Sequence, residues 1–126
     1  MDYHAAIKRY YRAYRDRARE SLRPLLTPDF HFVSSFGEHR DRDAMLDEIW
    51  PAVGQAWATK LQIFGQGPEL VVLYEHESAP GVERPSMSMA EYIRFDGERI
   101  AEIEVFQGRS VASPGSSRRE SETLEA

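Results

Sequence analysis

Residues 86–106 read SMSMAEYIRFDGERIAEIEVF, two segments of alternating apolar and polar residues joined at Asp96-Gly97. An Asp-Gly pair between alternating segments is a strong short-range signal for a β-hairpin, because both residues tolerate a positive φ. The stretch therefore predicts two antiparallel strands, and the turn fixes their register.

The register decides which side chains of the first strand share a face. Because successive strand residues point to opposite sides, Glu91 shares its face with the apolar residues Met87, Met89, Ile93 and Phe95. An unpaired carboxylate among apolar side chains is costly, so this acid is paired, kept protonated, or placed at the mouth of a wet pocket. The alternative is that this face is exposed, or that Glu91 forms a salt bridge with a neighbouring element.

The composition is that of one globular domain, with 126 residues, 41% of them hydrophobic and 29% charged. The absence of cysteine excludes disulfides and thiolate metal sites, and it fits a reducing cytoplasm. No apolar run reaches the roughly 18 to 20 residues of a membrane span, and the N-terminus lacks the apolar core of a signal peptide. We therefore expect a cytoplasmic protein that does not bind membranes.

The net charge of −5 is unevenly distributed along the chain. Residues 1–26 carry seven Lys or Arg against three Asp or Glu, whereas residues 27–108 carry six against fifteen. An acidic body argues against nucleic acid as a partner. The basic N-terminal segment is interpreted as the solvated face of a helix.

The N-terminal segment predicts an amphipathic helix with a tyrosine stripe. Tyr3, Ile7, Tyr10 and Tyr14 recur at helical spacing with Tyr11 beside them, and basic residues fill the opposite side. A buried tyrosine hydroxyl needs a hydrogen-bond partner. Either the hydroxyls reach solvent at the edge of the core, or at least one points into a cavity and donates to a ligand.

The rest of the chain changes from helical to strand periodicity, which predicts an α+β fold with helices against one face of a bent, largely antiparallel sheet. Such an arrangement leaves a hollow. The predicted elements are a short helix from residue 21, a strand at 30–34, a loop at 35–42, a helix capped by Asp41 or Asp43 and kinked or ended by Pro51, strands at 57–64 and 70–78, the hairpin ending near Phe106, and a disordered tail at 109–126.

Three stretches together resemble the NTF2-like superfamily, in particular its SnoaL-like and ketosteroid-isomerase-like members. They are KRYYRAYRDRARESLRPLLTPDFHFVSSFG at residues 8–37, DRDAMLDEIWPAV at 41–53 and AEYIRFDGERIAEIEVFQG at 90–108. The resemblance covers about residues 5–108, so we assign residues 1–108 to this domain. It implies a cone-shaped α+β barrel with three N-terminal helices over the concave face of the sheet, an apolar pocket, and a homodimer formed through the sheet.

The same resemblance assigns roles to three residues. Tyr10 falls where ketosteroid isomerases have their oxyanion-hole tyrosine, and Glu91 where they have a carboxylic acid kept protonated by its apolar site. The general-base aspartate of that family falls on Ser34, and a neutral serine cannot take its place. Steroid isomerisation by that family's route is therefore not expected.

His76 is the candidate for the missing base. It shares a strand face with Leu70, Val72 and Tyr74, which suggests an inward imidazole, while the alternative is a histidine at the rim. Acid–base pairs of histidine and a carboxylate occur in SnoaL-like polyketide cyclases, so by analogy His76 is paired with Glu91.

The remaining candidates are wall residues of the pocket, for which core packing is the alternative reading. The predicted substrate-binding residues are Tyr14, Ser34, Trp50, Trp57, Met87 and Met89. No HxH or HExxH pattern supports a metal site, and P-loop, dinucleotide and Gly-x-Ser-x-Gly signatures are absent, so no cofactor is expected.

Two functions fit these patterns. The first is a cofactor-free isomerase, cyclase or dehydratase acting on an apolar carbonyl compound, in which Tyr10 and Glu91 bind a developing oxyanion and His76 moves a proton. The second is a non-catalytic module that binds a small apolar ligand or serves as a dimerisation domain. The absence of a base at Ser34 favours the second.

Overall fold

The computed structural model describes residues 1–16, 18–49, 56–78 and 86–111, and it confirms an α+β fold. Three helices and a 3₁₀ turn (Arg23–Leu25) belong to the N-terminal half, and most of the sheet follows. The helices are α1 (Tyr3–Arg15), α2 (Arg19–Leu22) and α3 (Arg42–Ile49). The strands are β1 (Leu26–Val33), β2 (His39–Asp41), β3 (Ala56–Phe64), β4 (Glu69–Ser78), β5 (Ser86–Asp96) and β6 (Arg99–Val111).

The six strands form one open sheet in the order β2-β1-β6-β5-β4-β3. All neighbouring strands are antiparallel except β1 and β6, which run parallel. Antiparallel β4, β5 and β6 are adjacent in both sequence and space, so local hairpins build this half of the sheet. The parallel contact of β1 with β6 then brings the helical segment over one face.

The predicted hairpin is confirmed, with a shift of its turn by one residue. Asp96 still pairs with Arg99 in the ladder, so the two-residue loop is Gly97-Glu98 rather than Asp96-Gly97. Gly97 has a φ of +63°, which suits a hairpin loop with glycine at its first position. The alternation along β5 is unaffected, and Ile93 and Phe95 are buried on the same face as Glu91.

The helices cover that face of the sheet. Asp2 caps α1 by accepting a hydrogen bond from the backbone N–H of Ala5 at 3.0 Å. Apolar side chains of all three helices join the strand side chains in one core, whose largest fully buried members are Ile7, Leu22, Leu26, Phe30, Met45, Leu46, Leu70, Val72, Ile93, Ile100 and Ile103. The position of α1 across the concave side is therefore set by burial of its apolar stripe.

A β-bulge in β3 changes which side chains face the helices. Thr59 pairs with Glu75 and Gln62 with Leu73, so two residues of β3, Lys60 and Leu61, lie opposite one of β4. Lys60 has a φ of +55°, a left-handed conformation typical of bulges. Because of the extra residue, Ala58 and Leu61 face the same side although they are three positions apart.

Several predicted boundaries differ from the structure. The strand predicted at 30–34 begins earlier, at Leu26, and the segment predicted as a loop contains the short strand β2. The predicted second helix is one α-helical turn followed by the 3₁₀ turn. β6 continues past Phe106 to Val111, so residues 109–111 of the predicted tail belong to the sheet. Pro51, Trp50 and residues 112–126 lie outside the described residues.

In the described part of the chain, no helix is both long and apolar enough to cross a membrane.

Gly65, in the loop between β3 and β4, is a point where the backbone requires glycine. Its φ is +115°, and a Cβ there would lie 2.9 Å from the backbone oxygen of Glu69. We expect Gly65→Ala to lower the free energy of unfolding by about 1 to 3 kcal/mol, the cost of a strained backbone position. Chemical denaturation followed by circular dichroism measures this change.

Gly67→Ala is the matched control in the same loop, because a Cβ at Gly67 would have nothing within 4 Å. This variant should unfold within about 0.5 kcal/mol of the wild type. Equal stability of the two variants would show that the loop does not hold the conformation described here.

Candidate active site

A cavity of about 440 Å³ lies between α1 and the concave face of the sheet. Every strand except β2 contributes to its wall, and α1 contributes one side. The residues that line it are Lys8, Tyr10, Tyr11, Arg12, Tyr14, Arg15, Phe32, Ala58, Leu61, Tyr74, His76, Glu91 and Val105. The hollow expected from the helix and sheet arrangement is therefore present and is large enough for a small organic molecule.

Glu91 is the acid inside this cavity. It lies in the middle of β5 between Val72 of β4 and Val105 of β6, and only 7% of its surface is exposed. Among the described residues, Glu91 is the one buried side chain that can ionise as an ordinary acid or base. The parity of the hairpin places it here, as the sequence predicts.

Two tyrosine hydroxyls hold the Glu91 carboxylate. Tyr11 of α1 donates to Oε1 at 2.8 Å, and Tyr74 of β4 donates to Oε2. Each carboxylate oxygen thus accepts one hydrogen bond from a phenol, which compensates part of the cost of burying the charge. The two donors come from opposite walls of the cavity, so the carboxylate links the helix to the sheet.

The pKa of Glu91 is raised above that of an ordinary glutamate. Burial is the largest cause, since it disfavours the charged form. The hydrogen bonds from Tyr74 and Tyr11 stabilise the carboxylate and lower the pKa, but they offset only part of the effect of burial. Glu91 is therefore a stronger proton acceptor than a surface carboxylate.

A row of tyrosines surrounds this acid. The Tyr10 ring contacts Tyr11 and Tyr14 edge-on, with centroids 5.2 and 5.0 Å apart, and the Tyr11 and Tyr74 rings are 5.5 Å apart. Burial, followed by the proximity of Tyr14 and Glu91, raises the pKa of Tyr10 well above its usual value. These phenols therefore stay protonated and act as hydrogen-bond donors.

The other residues predicted by resemblance to act with Glu91 also reach the cavity. Tyr10 lines it, but the hydroxyl that bonds to Glu91 comes from its neighbour Tyr11. His76 lines the cavity at an exposed position four residues along β4 from Val72, the residue opposite Glu91. This spacing corresponds to about 13 Å between backbone positions, so His76 and Glu91 can act together only on a ligand between them.

The predicted wall residues divide into those that line the cavity, those that lie elsewhere, and those outside the described residues. Tyr14 lines the cavity, and its hydroxyl donates to Sδ of Met45 at 3.2 Å. Met87 lies opposite His76 in the sheet and Met89 packs against the core, and neither lines the cavity.

Ser34 is also absent from the cavity wall. Its hydroxyl accepts hydrogen bonds from the backbone N–H groups of Phe36 and Glu38, both at 3.2 Å, within the turn after β1. Trp50 and the side chain of Trp57 lie outside the described residues.

Tyr11 and Tyr74 are the site residues that the sequence analysis missed. A signal existed for Tyr74, since alternation along residues 70–78 groups it with the inward set that contains His76. Tyr11 gave no such signal because it sits one position outside the tyrosine stripe. Its role depends on the rotation of α1 about its own axis.

No set of three or more His, Asp or Glu side chains converges on a common point within the part of the chain that the structure describes. The ionisable side chains that line the cavity, among those the structure describes, are one carboxyl group, four phenols, an imidazole and the three basic side chains of α1.

Replacing Glu91 by glutamine should change how stability depends on pH. Because the folded chain binds the Glu91 proton more tightly than the unfolded chain, this group stabilises the fold at low pH. That contribution is lost as pH rises from the unfolded-state pKa through the raised folded-state pKa. We therefore expect Glu91→Gln to gain stability relative to the wild type over that interval.

The measurement is urea denaturation at a series of pH values. Glu104→Gln, which removes a carboxylate from β6 outside the cavity wall, gives the reference for losing one negative charge. If the free energy of unfolding depended on pH in the same way for Glu91→Gln and Glu104→Gln, the raised pKa of Glu91 would be contradicted.

Several solved structures share this fold. IdmH from Streptomyces antibioticus, a proposed polyketide cyclase, superimposes with a TM-score of 0.73 at 21% identity, over 85% of this chain and 92% of that one. A proposed ketosteroid isomerase from Kribbella flavida gives 0.73 at 16% identity, over 87% and 80% of the two chains. An NTF2-like protein of unknown function from Burkholderia xenovorans gives 0.71 at 13% identity, over 92% and 90%.

These identities establish a common NTF2-like fold and leave activity open. No curated protein sequence matches the chain. The family model of the SnoaL-like domain matches residues 7–103, which include most of α1 and most of the β5–β6 hairpin. The chain therefore belongs to the SnoaL-like domain family.

Proposed function

We propose that this protein is a cofactor-free enzyme that transfers a proton on an apolar carbonyl compound, as an isomerase, cyclase or dehydratase does. The observation that carries the proposal is the Glu91 carboxylate, which lines the cavity and accepts hydrogen bonds from two phenols. A carboxylate with a raised pKa that lines a cavity is suited to removing a proton from carbon.

Glu91 takes the role of the base because of its hydrogen bonds. In the described arrangement both carboxylate oxygens accept hydrogen bonds, one from the Tyr11 hydroxyl and one from the Tyr74 hydroxyl, so Glu91 is oriented as an acceptor. Each oxygen keeps a second lone pair that can accept a proton from a substrate. This differs from the sequence-based expectation that Glu91, as a neutral acid, donates to an oxyanion.

The proposed reaction divides among three residues. Glu91 removes a proton from the carbon next to the carbonyl, the C–H bond breaks, and the electron pair moves to the carbonyl oxygen. The Tyr10 hydroxyl donates a hydrogen bond to that oxygen in exchange for its hydrogen bond to Tyr14, because the phenol lines the cavity and remains protonated. His76, at the exposed end, donates its own proton to the product or to a departing hydroxyl, and solvent then takes the proton from Glu91 and supplies one to His76.

A non-catalytic module that binds a small apolar ligand is the second candidate. It is favoured by Ser34, whose hydroxyl is engaged in a turn and which stands where the ketosteroid isomerase pattern has its base. In this case Glu91 and the tyrosines would only bind the carbonyl group of a ligand. The cavity supports both candidates, so they must be separated by a measurement of proton transfer.

Elimination of 5-nitrobenzisoxazole tests for proton transfer without knowledge of the substrate. A base removes one proton from carbon, the N–O bond breaks, and a coloured phenolate forms. We expect the wild type to catalyse this reaction with a rate that rises with pH through the raised pKa of Glu91. Glu91→Gln should reduce the rate about 100-fold or more, the loss expected for a missing general base.

Glu104→Gln is the control for the lost charge and should keep the wild-type rate. Equal rates for the wild type and Glu91→Gln would contradict the enzyme proposal. If the two rates were equal and the apolar dye N-phenyl-1-naphthylamine still bound in the cavity of the wild type, the ligand-binding module would be the better description.

We further propose that the protein forms a homodimer through the outer face of the sheet, as its resemblance to NTF2-like proteins implies. Three large apolar side chains lie exposed on that face, Phe64, Val71 and Phe106, at 52%, 40% and 51% of their surface. Phe64 pairs with Val71 across β3 and β4, and Phe106 lies on β6. A second copy of the same face would cover this patch.

Val71→Asp and Phe106→Asp should each convert the dimer into a monomer, because a charge would be buried at the interface. Analytical ultracentrifugation at micromolar concentration measures the change. Phe36→Asp is the matched control, since Phe36 is 84% exposed but lies in the turn after β1, and it should leave the dimer intact. A monomeric wild type would contradict the proposal.

A further inference from the structure

Three basic side chains of α1 line the cavity around Tyr11. Lys8, Arg12 and Arg15 are spaced four and three residues apart, which places them with Tyr11 along one side of the helix. This side is distinct from the apolar stripe of Ile7 and Tyr10 that packs into the core. Lys8, Arg12 and Arg15 therefore form a basic group beside Tyr11, the tyrosine that donates to Glu91. We call this group the cationic rim.

The charges of the cationic rim are poorly compensated by the protein. The side chains of Lys8 and Arg12 form no ion pair or hydrogen bond with any residue in the described ranges. Arg15 contacts its neighbour Asp16 at 3.3 Å, but both side chains are more than half exposed. An exposed pair of this kind contributes little, so all three cations remain available to an anion.

The helix dipole does not explain the whole group. Cations in the last turn of a helix are favourable, which accounts for Arg12 and Arg15. Lys8 lies about two turns from the C-terminus, where this effect has faded. A role at the cavity accounts for the three residues together.

The interior of the cavity has the opposite character. Phe32, Leu61 and Val105 form apolar wall, and Glu91 is the acid at its centre. An anion placed beside ionised Glu91 would be repelled, whereas one at the rim would be attracted to the three cations. The site therefore suits a molecule that is apolar at one end and anionic at the other.

We infer that the ligand of this site is an amphipathic organic acid, whose carboxylate binds at Lys8 and Arg12 while its apolar part enters the cavity toward Glu91. The inference rests on the proposed function, in which the cavity takes an apolar compound. The anionic end of the ligand fixes its orientation in the cavity, so the carbon that Glu91 deprotonates lies at the opposite, apolar end of the ligand.

A pair of dyes with the same aromatic skeleton tests this inference. 8-Anilinonaphthalene-1-sulfonate carries an anionic group in place of the carboxylate, and N-phenyl-1-naphthylamine is its neutral counterpart. We expect the anionic dye to bind more tightly than the neutral one. The double variant Lys8→Gln/Arg12→Gln should weaken the anionic dye about 2- to 30-fold, the range for two exposed charge pairs, and leave the neutral dye unchanged.

Arg9→Gln is the matched control. It removes one positive charge from the same helix, but Arg9 does not line this cavity. Binding of both dyes should stay at the wild-type level in this variant. Nuclear Overhauser contacts from the dye to the methyl groups of Leu61 and Val105 locate it in the cavity.

The outcomes separate this inference from the function on which it rests. If the neutral dye binds in the cavity and the anionic dye binds no more tightly, or if the double variant leaves its affinity unchanged, the inference is overturned while the cavity remains an apolar site. If neither dye contacts Leu61 or Val105, the ligand-binding cavity itself is contradicted and the inference fails with it.

Discussion

The structure is organised around the cost of keeping a carboxylate away from water. Glu91 sits in the centre of an antiparallel ladder with valines on both sides, where a charge is unfavourable. Hydrogen bonds from Tyr11 and Tyr74 compensate part of that cost and leave the pKa raised. The part of the burial cost that these hydrogen bonds do not compensate gives Glu91 its capacity to accept a proton.

The fold supplies both donors and keeps the cavity open. The apolar stripe of α1 packs into the core, and this packing turns the Tyr11 side of the helix toward the sheet. The bulge at Lys60 directs both Ala58 and Leu61 into the cavity wall, next to strand β4, which carries Tyr74. Local features of sequence thus determine the shape of the site, while the acid determines its chemistry.

Much of this could be read from the sequence because the relevant signals are local. Alternation along β5 and the Asp-Gly pair are enough to place Glu91 on the same face as Ile93 and Phe95, which the structure shows to be the inner face. Alternation cannot reveal that Tyr11 reaches Glu91, since that contact depends on how α1 rotates against strands 80 residues away. The strand β2 has three polar residues without an apolar face, so it has no periodic signature. The register of parallel β1 and β6 is likewise a non-local contact.

The central claim is that Glu91 is a buried carboxylate with a raised pKa inside an accessible cavity. Its most direct test is a carbon-13 titration of the Glu91 side-chain carboxyl by NMR, assigned by comparison with Glu91→Gln. The account requires a midpoint clearly above that of an ordinary glutamate, with Tyr74→Phe moving it further upward because a stabilising donor is lost. A midpoint at or below the ordinary value would contradict it.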